Sequence, residues 1–243
     1  FWTRVFGRVR AAGLEFGADN WTNDYRFHNV WVQKALKRLS SSPAGRDVVR
    51  WATDHFPFYS GMMQGRDRVN LAFIKPVLNH TGARVFADTT KEMPRLLHLS
   101  RLPLDIKVIQ LSRDVRGYAA SAKRRRGIGV ADSARTWLRD QTPIREVAAT
   151  LPAGRVFHLR YEDLCGRVGE TQEKLWPFIG VRSVPMYDSI LATDHHVLGN
   201  NMRLGGAIRL RLDESWRQRL TAVEQDEILA IAGDMNRALG HST

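Results

Sequence analysis

The spacing of apolar residues along this chain changes near residue 83, dividing the sequence into two parts. Upstream the apolar positions recur with the period of a helix. Over Phe27–Leu39, Val30, Trp31 and Ala35 alternate with Lys34 and Lys37–Arg38 in an amphipathic pattern that Ser40–Ser42 and Pro43 stop. Gly45–Phe56 predicts a second helix ended by Pro57. Arg66–Asn79 predicts a third, with Leu71, Ile74 and Leu78 on one face and Pro76 as a kink point. Downstream, three short apolar runs, Arg84–Asp88, Lys107–Ser112 and Arg155–Tyr161, read as strands. Between the second and third lies a long amphipathic stretch, Val130–Thr150, with Ala134, Trp137, Leu138, Ile144, Val147 and Ala148 on one side. Val168–Ile179 and Glu224–Leu239 predict two further helices, the last with Ile228, Ile231, Ala232 and Met235 inward and Gly240 as its C-cap. A loop-rich stretch, Pro185–Gly206, separates them.

Strands alternating with helices predict an α/β fold with a mostly parallel sheet. At 243 residues the chain suits one domain, with residues 1–82 mainly helical and 83–243 forming the α/β part. Hydrophobic content of 43% and charged content of 26% are those of a globular protein and argue against wholesale disorder. No apolar run reaches the length of a membrane span, and Arg4, Arg8 and Arg10 interrupt any apolar core of a signal peptide. A net charge of +12 favours an anionic partner without choosing among nucleotide, nucleic acid, acidic sugar and membrane surface. The one dense basic run, Lys123–Arg126, reads as a solvated helix face. Cys165 is the only cysteine, so no intrachain disulfide forms, which leans towards a reducing, cytoplasmic setting.

The strongest local signal is Ser112-Arg113-Asp114-Val115-Arg116-Gly117-Tyr118-Ala119-Ala120-Ser121, at the junction of a predicted strand and a predicted helix. Ligands of open α/β sheets bind at the carboxyl ends of strands, where helix N-termini offer unpaired N–H groups to anions. Arg113 can hold a phosphate there through two parallel hydrogen bonds, and Ser121, two turns into the helix, can add a donor. Equally, Arg113 and Asp114 can form a surface ion pair while Ser121 faces solvent.

Other segments accompany it in order: Asp88-Thr89-Thr90-Lys91, Leu159-Arg160-Tyr161-Glu162-Asp163-Leu164, Phe178-Ile179-Gly180, and His196-Val197-Leu198-Gly199-Asn200-Asn201-Met202-Arg203. The ordered set resembles the PAPS-dependent sulfotransferase family, particularly its bacterial and carbohydrate-modifying branches. In that family a strand ends in R-D-P before a helix with Ser eight residues after the Arg; here Val115 replaces the proline. A later strand ends in Y-E-D-L, matched at Tyr161–Leu164. A helix ending in F-L-G follows, and then H-x-x-G-N-x-x-R. The resemblance runs from about residue 84 onward.

It implies a P-loop-kinase-like fold, a mostly parallel sheet flanked by helices, and a sulfuryl transfer from PAPS to a hydroxyl or amine of a small-molecule, lipid or carbohydrate acceptor, with PAP as product and no metal. Arg113 and Ser121 would bind the donor's 3′-phosphate. Tyr161 would lie near the adenine, or else pack at its strand end. Gly199, Asn200 and Arg203 would close over the donor phosphates, although Gly199-Asn200 also suits an ordinary turn. The family's first strand and its Gly-rich phosphosulfate loop have no counterpart here and are expected upstream of Phe1. The catalytic candidates are Lys91, to meet the leaving group, and Asp88 or Glu92 as base; Asp88 with Thr89 and Thr90 also suits a helix cap. The helical part before residue 83 is expected to shape the acceptor side.

Two other functions compete. A P-loop nucleotide or small-molecule kinase would carry G-x-x-x-x-G-K-[ST] and a magnesium-binding acid, and neither is visible. A non-enzymatic basic nucleic-acid-binding protein suits the net charge, but its charge would be clustered and it would carry a recognisable motif.

Overall fold

The computed structural model describes residues 38–39, 42, 44–45, 47–48, 51, 71, 73–89, 96, 99–100, 102–183, 189–191 and 207–242. The chain divides into two compact units, Phe1–Ile106 with Pro143–Val147 and Lys107–Thr142 with Ala148–Thr243. Among the described residues no helix is long and apolar enough to cross a membrane.

In the first unit residues 73–81 are helical, as the periodicity predicts, with Phe73 and Ile74 buried and Pro76 inside the helix. The predicted strand at Arg84–Asp88 does not form: residues 85–89 carry no regular structure and Val85 is exposed. The run's backbone enters no strand pairing among the described residues. Its one aromatic side chain is spent on a local contact instead, Phe86 lying edge-on to Phe73 with ring centres 6.1 Å apart. The predicted helices at Phe27–Leu39 and Gly45–Phe56 fall largely outside the described residues.

The second unit is mixed α/β. Strand β1 (Val108–Ser112) leads into α1 (Val115–Arg126) and α2 (Val130–Thr150); β2 (Val156–Arg160) leads into α3 (Tyr161–Gly166) and α4 (Val168–Ile179). β1 and β2 pair in parallel, Val108 opposite Val156 through Ser112 opposite Arg160. β3 (Ser189–Leu191) and β4 (Ala207–Arg209) form a separate antiparallel pair. A short helix, α5 (Trp216–Arg219), precedes α6 (Ala222–Ala238).

Local chemistry sets these boundaries. Asp114 caps α1 by accepting from the Arg116 amide at 2.8 Å, and Gly127, at φ 64°, closes the helix in the left-handed region. Thr221 and Glu224 form a capping box at the start of α6. The buried face of α1 is small, with Ala119, Ala120 and Ala122, so α6 approaches it through Ile228 and Ala232. Trp137 of α2 joins the same core. β1 is inverted relative to a simple amphipathic strand: Gln110 and Ser112 point inward, while Ile109 and Leu111 are 43% and 53% exposed.

Candidate functional site

The carboxyl ends of β1 and β2 lie side by side, because the parallel register brings Ser112 opposite Arg160. From this edge Arg113 extends between two supports. Its guanidinium lies 4.6 Å from the centre of the Tyr161 ring, and its Nη2 donates to the Asp213 carbonyl at 3.0 Å and to Asp213 Oδ2 at 3.3 Å. The Tyr161 hydroxyl ties down the same strap, donating to the Arg211 carbonyl at 2.8 Å and accepting from the Asp213 amide at 3.0 Å. Burial pushes the Tyr161 phenol up, so it stays a neutral donor.

Arg113 opens on a shallow surface depression whose walls include Ser121, Arg124, Asp213, Trp216 and Arg219. Gly117, Ser121 and Arg124 recur at spacings of four and three, which places them on one face of α1, and Arg113, just ahead of the Asp114 cap, borders the same depression. Gly117 is needed there for its missing side chain. A Cβ at that position would sit 2.9 Å from Arg113 Nε, so glycine leaves room for the guanidinium to cross the helix.

A buried polar network fixes the strand end beneath the depression. Arg116 donates side-on to Asp114, from Nε at 3.0 Å and from Nη2 at 2.7 Å, and also reaches the Ser242 carbonyl at 2.7 Å. Asn236 accepts from the Val115 amide at 3.0 Å and donates to the same Ser242 carbonyl. His241 lies between Ser112 Oγ, 3.0 Å from Nε2, and Glu162 Oε2, 3.3 Å from Nδ1 and without good hydrogen-bond geometry. Glu162 Oε1 accepts from the Asp114 amide. Ser112, His241 and Glu162 have the order of a nucleophile, base and orienting carboxylate. Ser112 is only 4% exposed and does not line the depression, so the three act as a clamp.

The carboxylates of this region share one electrostatic trend. Burial raises Asp114, but Arg116 outweighs it and holds the carboxyl below 3.8. Burial likewise raises Glu162, and His241 with the Asp114 amide brings it below 4.5. The hydroxyl and amide of Ser215 lower Asp213, against a smaller effect of burial, and Arg113 adds to them; the carboxyl falls from 3.8 to about 2. All three are more acidic folded than unfolded, so their stabilisation is complete above the unfolded values. It is lost as pH falls from about 4.5 towards 2, where the unfolded chain takes up protons first. Acid titration followed by near-ultraviolet circular dichroism is expected to show tertiary loss within that window. Full retention of the signal at pH 2 would contradict it.

Of the residues picked out from sequence, Arg113 and Ser121 meet at the depression and Tyr161 supports Arg113 from below. Asp88 is exposed in the first unit. Lys91, Glu92, Gly199, Asn200 and Arg203 lie outside the described residues. Sequence reading missed Gly117 and Arg124, which their spacing from Ser121 places on its face of α1. It also missed Asp213, Arg219 and His241, which reach the site from about a hundred residues away or more and leave no local signal. Comparison with protein-family models, with curated proteins and with solved structures finds no match.

Proposed function

We propose that this chain is a PAPS-dependent sulfotransferase with a P-loop-kinase-like arrangement, and that the Arg113 depression holds the 3′-phosphate of the donor. The observation that carries this reading is that Arg113 and Ser121, the pair the family pattern assigns to that phosphate, line one basic depression at the carboxyl edge of a parallel sheet. Tyr161 then faces the nucleotide through the guanidinium it supports.

In the transfer, the acceptor oxygen or nitrogen forms a bond to sulfur as the bond from sulfur to the 5′-phosphate oxygen breaks. The acceptor's proton passes to a base, and PAP leaves. Arg113 takes no part in bond making; it anchors the nucleotide so that sulfur and acceptor stay aligned. Asp88 or Glu92 as base and Lys91 at the leaving group complete the proposal, with Gly199, Asn200 and Arg203 closing over the donor.

Calorimetric titration with PAP, with ATP as control, tests it. The chain is expected to bind PAP in preference to ATP, and Arg113→Ala to weaken PAP about tenfold or more, as for loss of a charge-assisted hydrogen bond. Equal binding of ATP, or PAP binding unaffected by Arg113→Ala, would overturn the donor assignment. Steeply salt-dependent binding of RNA or DNA with indifference to PAP would favour a nucleic-acid module instead.

A further inference from the structure

We propose that residues 210–214 form a self-blocking strap: Asp213 occupies Arg113 in the free protein, and an anion reaches that guanidinium by displacing the Asp213 carboxylate and loosening the strap. That the anion is a nucleotide phosphate rests on the reading above; the contest between carboxylate and anion does not.

Arg113 and Tyr161 are the first residues past β1 and β2, whose last positions, Ser112 and Arg160, stand opposite one another. Both grip Asp213. Arg113 Nη2 donates to its carbonyl at 3.0 Å and to its Oδ2 at 3.3 Å, and the Tyr161 hydroxyl accepts from its amide at 3.0 Å. The same hydroxyl donates to the Arg211 carbonyl at 2.8 Å. Asp213 lies between β4 and α5, in a stretch with no helix or strand of its own. Leu212 adds an ordinary apolar contact, its Cδ2 3.8 Å from where a Cβ on Gly166 of α3 would stand. The strap thus crosses the carboxyl edge of the β1–β2 pair, fastened by a side chain from each strand end.

This fastening has a charge consequence. Asp213 is ionised above about 2, so at neutral pH Arg113 already holds an anion. Guanidinium and carboxylate together carry no net charge, and a phosphate brought to the same Nη2 meets a like charge beside it. The Arg113 and Asp213 side chains are 27% and 41% exposed, so water screens their attraction. A phosphate monoester, with about one and a half to two negative charges near pH 7, is the stronger partner. Once Arg113 turns to it, both Arg113 bonds to Asp213 go. Oδ1 keeps the Ser215 amide at 3.1 Å, and the bonds left from the strand ends to residues 211–213 are those of the Tyr161 hydroxyl.

Asp213→Asn keeps an acceptor for the Ser215 amide and the backbone carbonyl for Arg113, and removes the competing charge. Calorimetry on the full chain at pH 7.5 is expected to show this variant binding PAP about three- to fivefold more tightly than the wild type, the equivalent of one exposed ion pair. It should melt at or slightly below the wild-type temperature, whereas loss of a carboxylate needed only for structure would weaken binding as well. Strap release has its own readout. Arg211 is exposed, and limited trypsin digestion followed by mass spectrometry times the cut after it. PAP should speed that cut severalfold, since cleavage tracks the opened population. Tyr161→Phe removes the hydroxyl but keeps the ring, and should speed the cut without ligand.

PAP affinity unchanged or weakened by Asp213→Asn, or a cut after Arg211 that PAP slows, would overturn the strap; PAP bound through Arg113 in that case leaves the donor reading standing. Inorganic phosphate that gains from Asp213→Asn and speeds the cut, in a chain that binds PAP no better than phosphate, would uphold the strap and overturn the nucleotide. No response to either anion would overturn both.

Discussion

Replacing Arg116 by methionine is expected to destabilise the second unit by about 3–5 kcal/mol, the range for breaking one half of a buried ion pair. The side chains of Arg116 and Asp114 are only 7% and 6% exposed, so the abandoned carboxylate cannot recover its hydration. The substitution also leaves the Ser242 carbonyl without the Arg116 donor and removes the guanidinium that stacks 4.3 Å from the Trp216 ring. Asp114→Asn keeps a helix cap while removing the charge, so the double variant Asp114→Asn/Arg116→Met should lose less than the sum of the two single changes. Urea denaturation of all four proteins measures this. Strict additivity would mean that the two side chains are not coupled and that the geometry described for them is wrong.

Gly117→Ala separates binding from stability. Alanine in place of glycine within a helix is favourable by roughly 0.5–1 kcal/mol. The new methyl meets first the side chain of Arg113, at 2.9 Å from Nε, and that side chain can swing away. It would then leave Asp213, the Tyr161 ring and the depression together. The variant should melt at or above the wild-type temperature and yet bind PAP about tenfold to a hundredfold more weakly, the loss of one or two charge-assisted contacts. Undiminished PAP affinity in a variant of unchanged stability would show that the position of Arg113 across α1 does not matter for binding.

What could be read from sequence follows from how local the physics is. The periodicity of Val130–Thr150 and Val168–Ile179 yields the bounds of α2 and α4, since an apolar stripe at helical spacing reports itself wherever the helix packs. The strands at Lys107–Ser112 and Arg155–Tyr161 are legible to within a residue at their ends. Arg84–Asp88 looks equally strand-like, yet it enters no strand pairing among the described residues, and pairing is not a property that composition reports. The site divides in the same way. Arg113 and Ser121 stand out because a strand end and a helix start are local features. The network below them joins Ser112 to His241 and Val115 to Asn236, pairs whose partners are ordinary residues of a C-terminal helix and its sequel. The expected end of the last helix at Gly240 is nearly right, with Gly240 at φ 81°, but nothing in the sequence says that the chain beyond this turn closes back over the start of α1.

That return path sets a timetable. Ser112 is separated from His241 by 129 positions, and Arg116 from Ser242 by 126. On a ribosome adding about 5–20 residues per second, β1 would be made roughly 6–25 s before the residues that satisfy its polar end. For that interval Asp114 and Arg116 can pair with each other, but Ser112 and the Val115 amide must keep their water. The nascent edge therefore waits hydrated and unlocked, and the depression acquires its final floor only when the segment from Asn236 to Ser242 arrives.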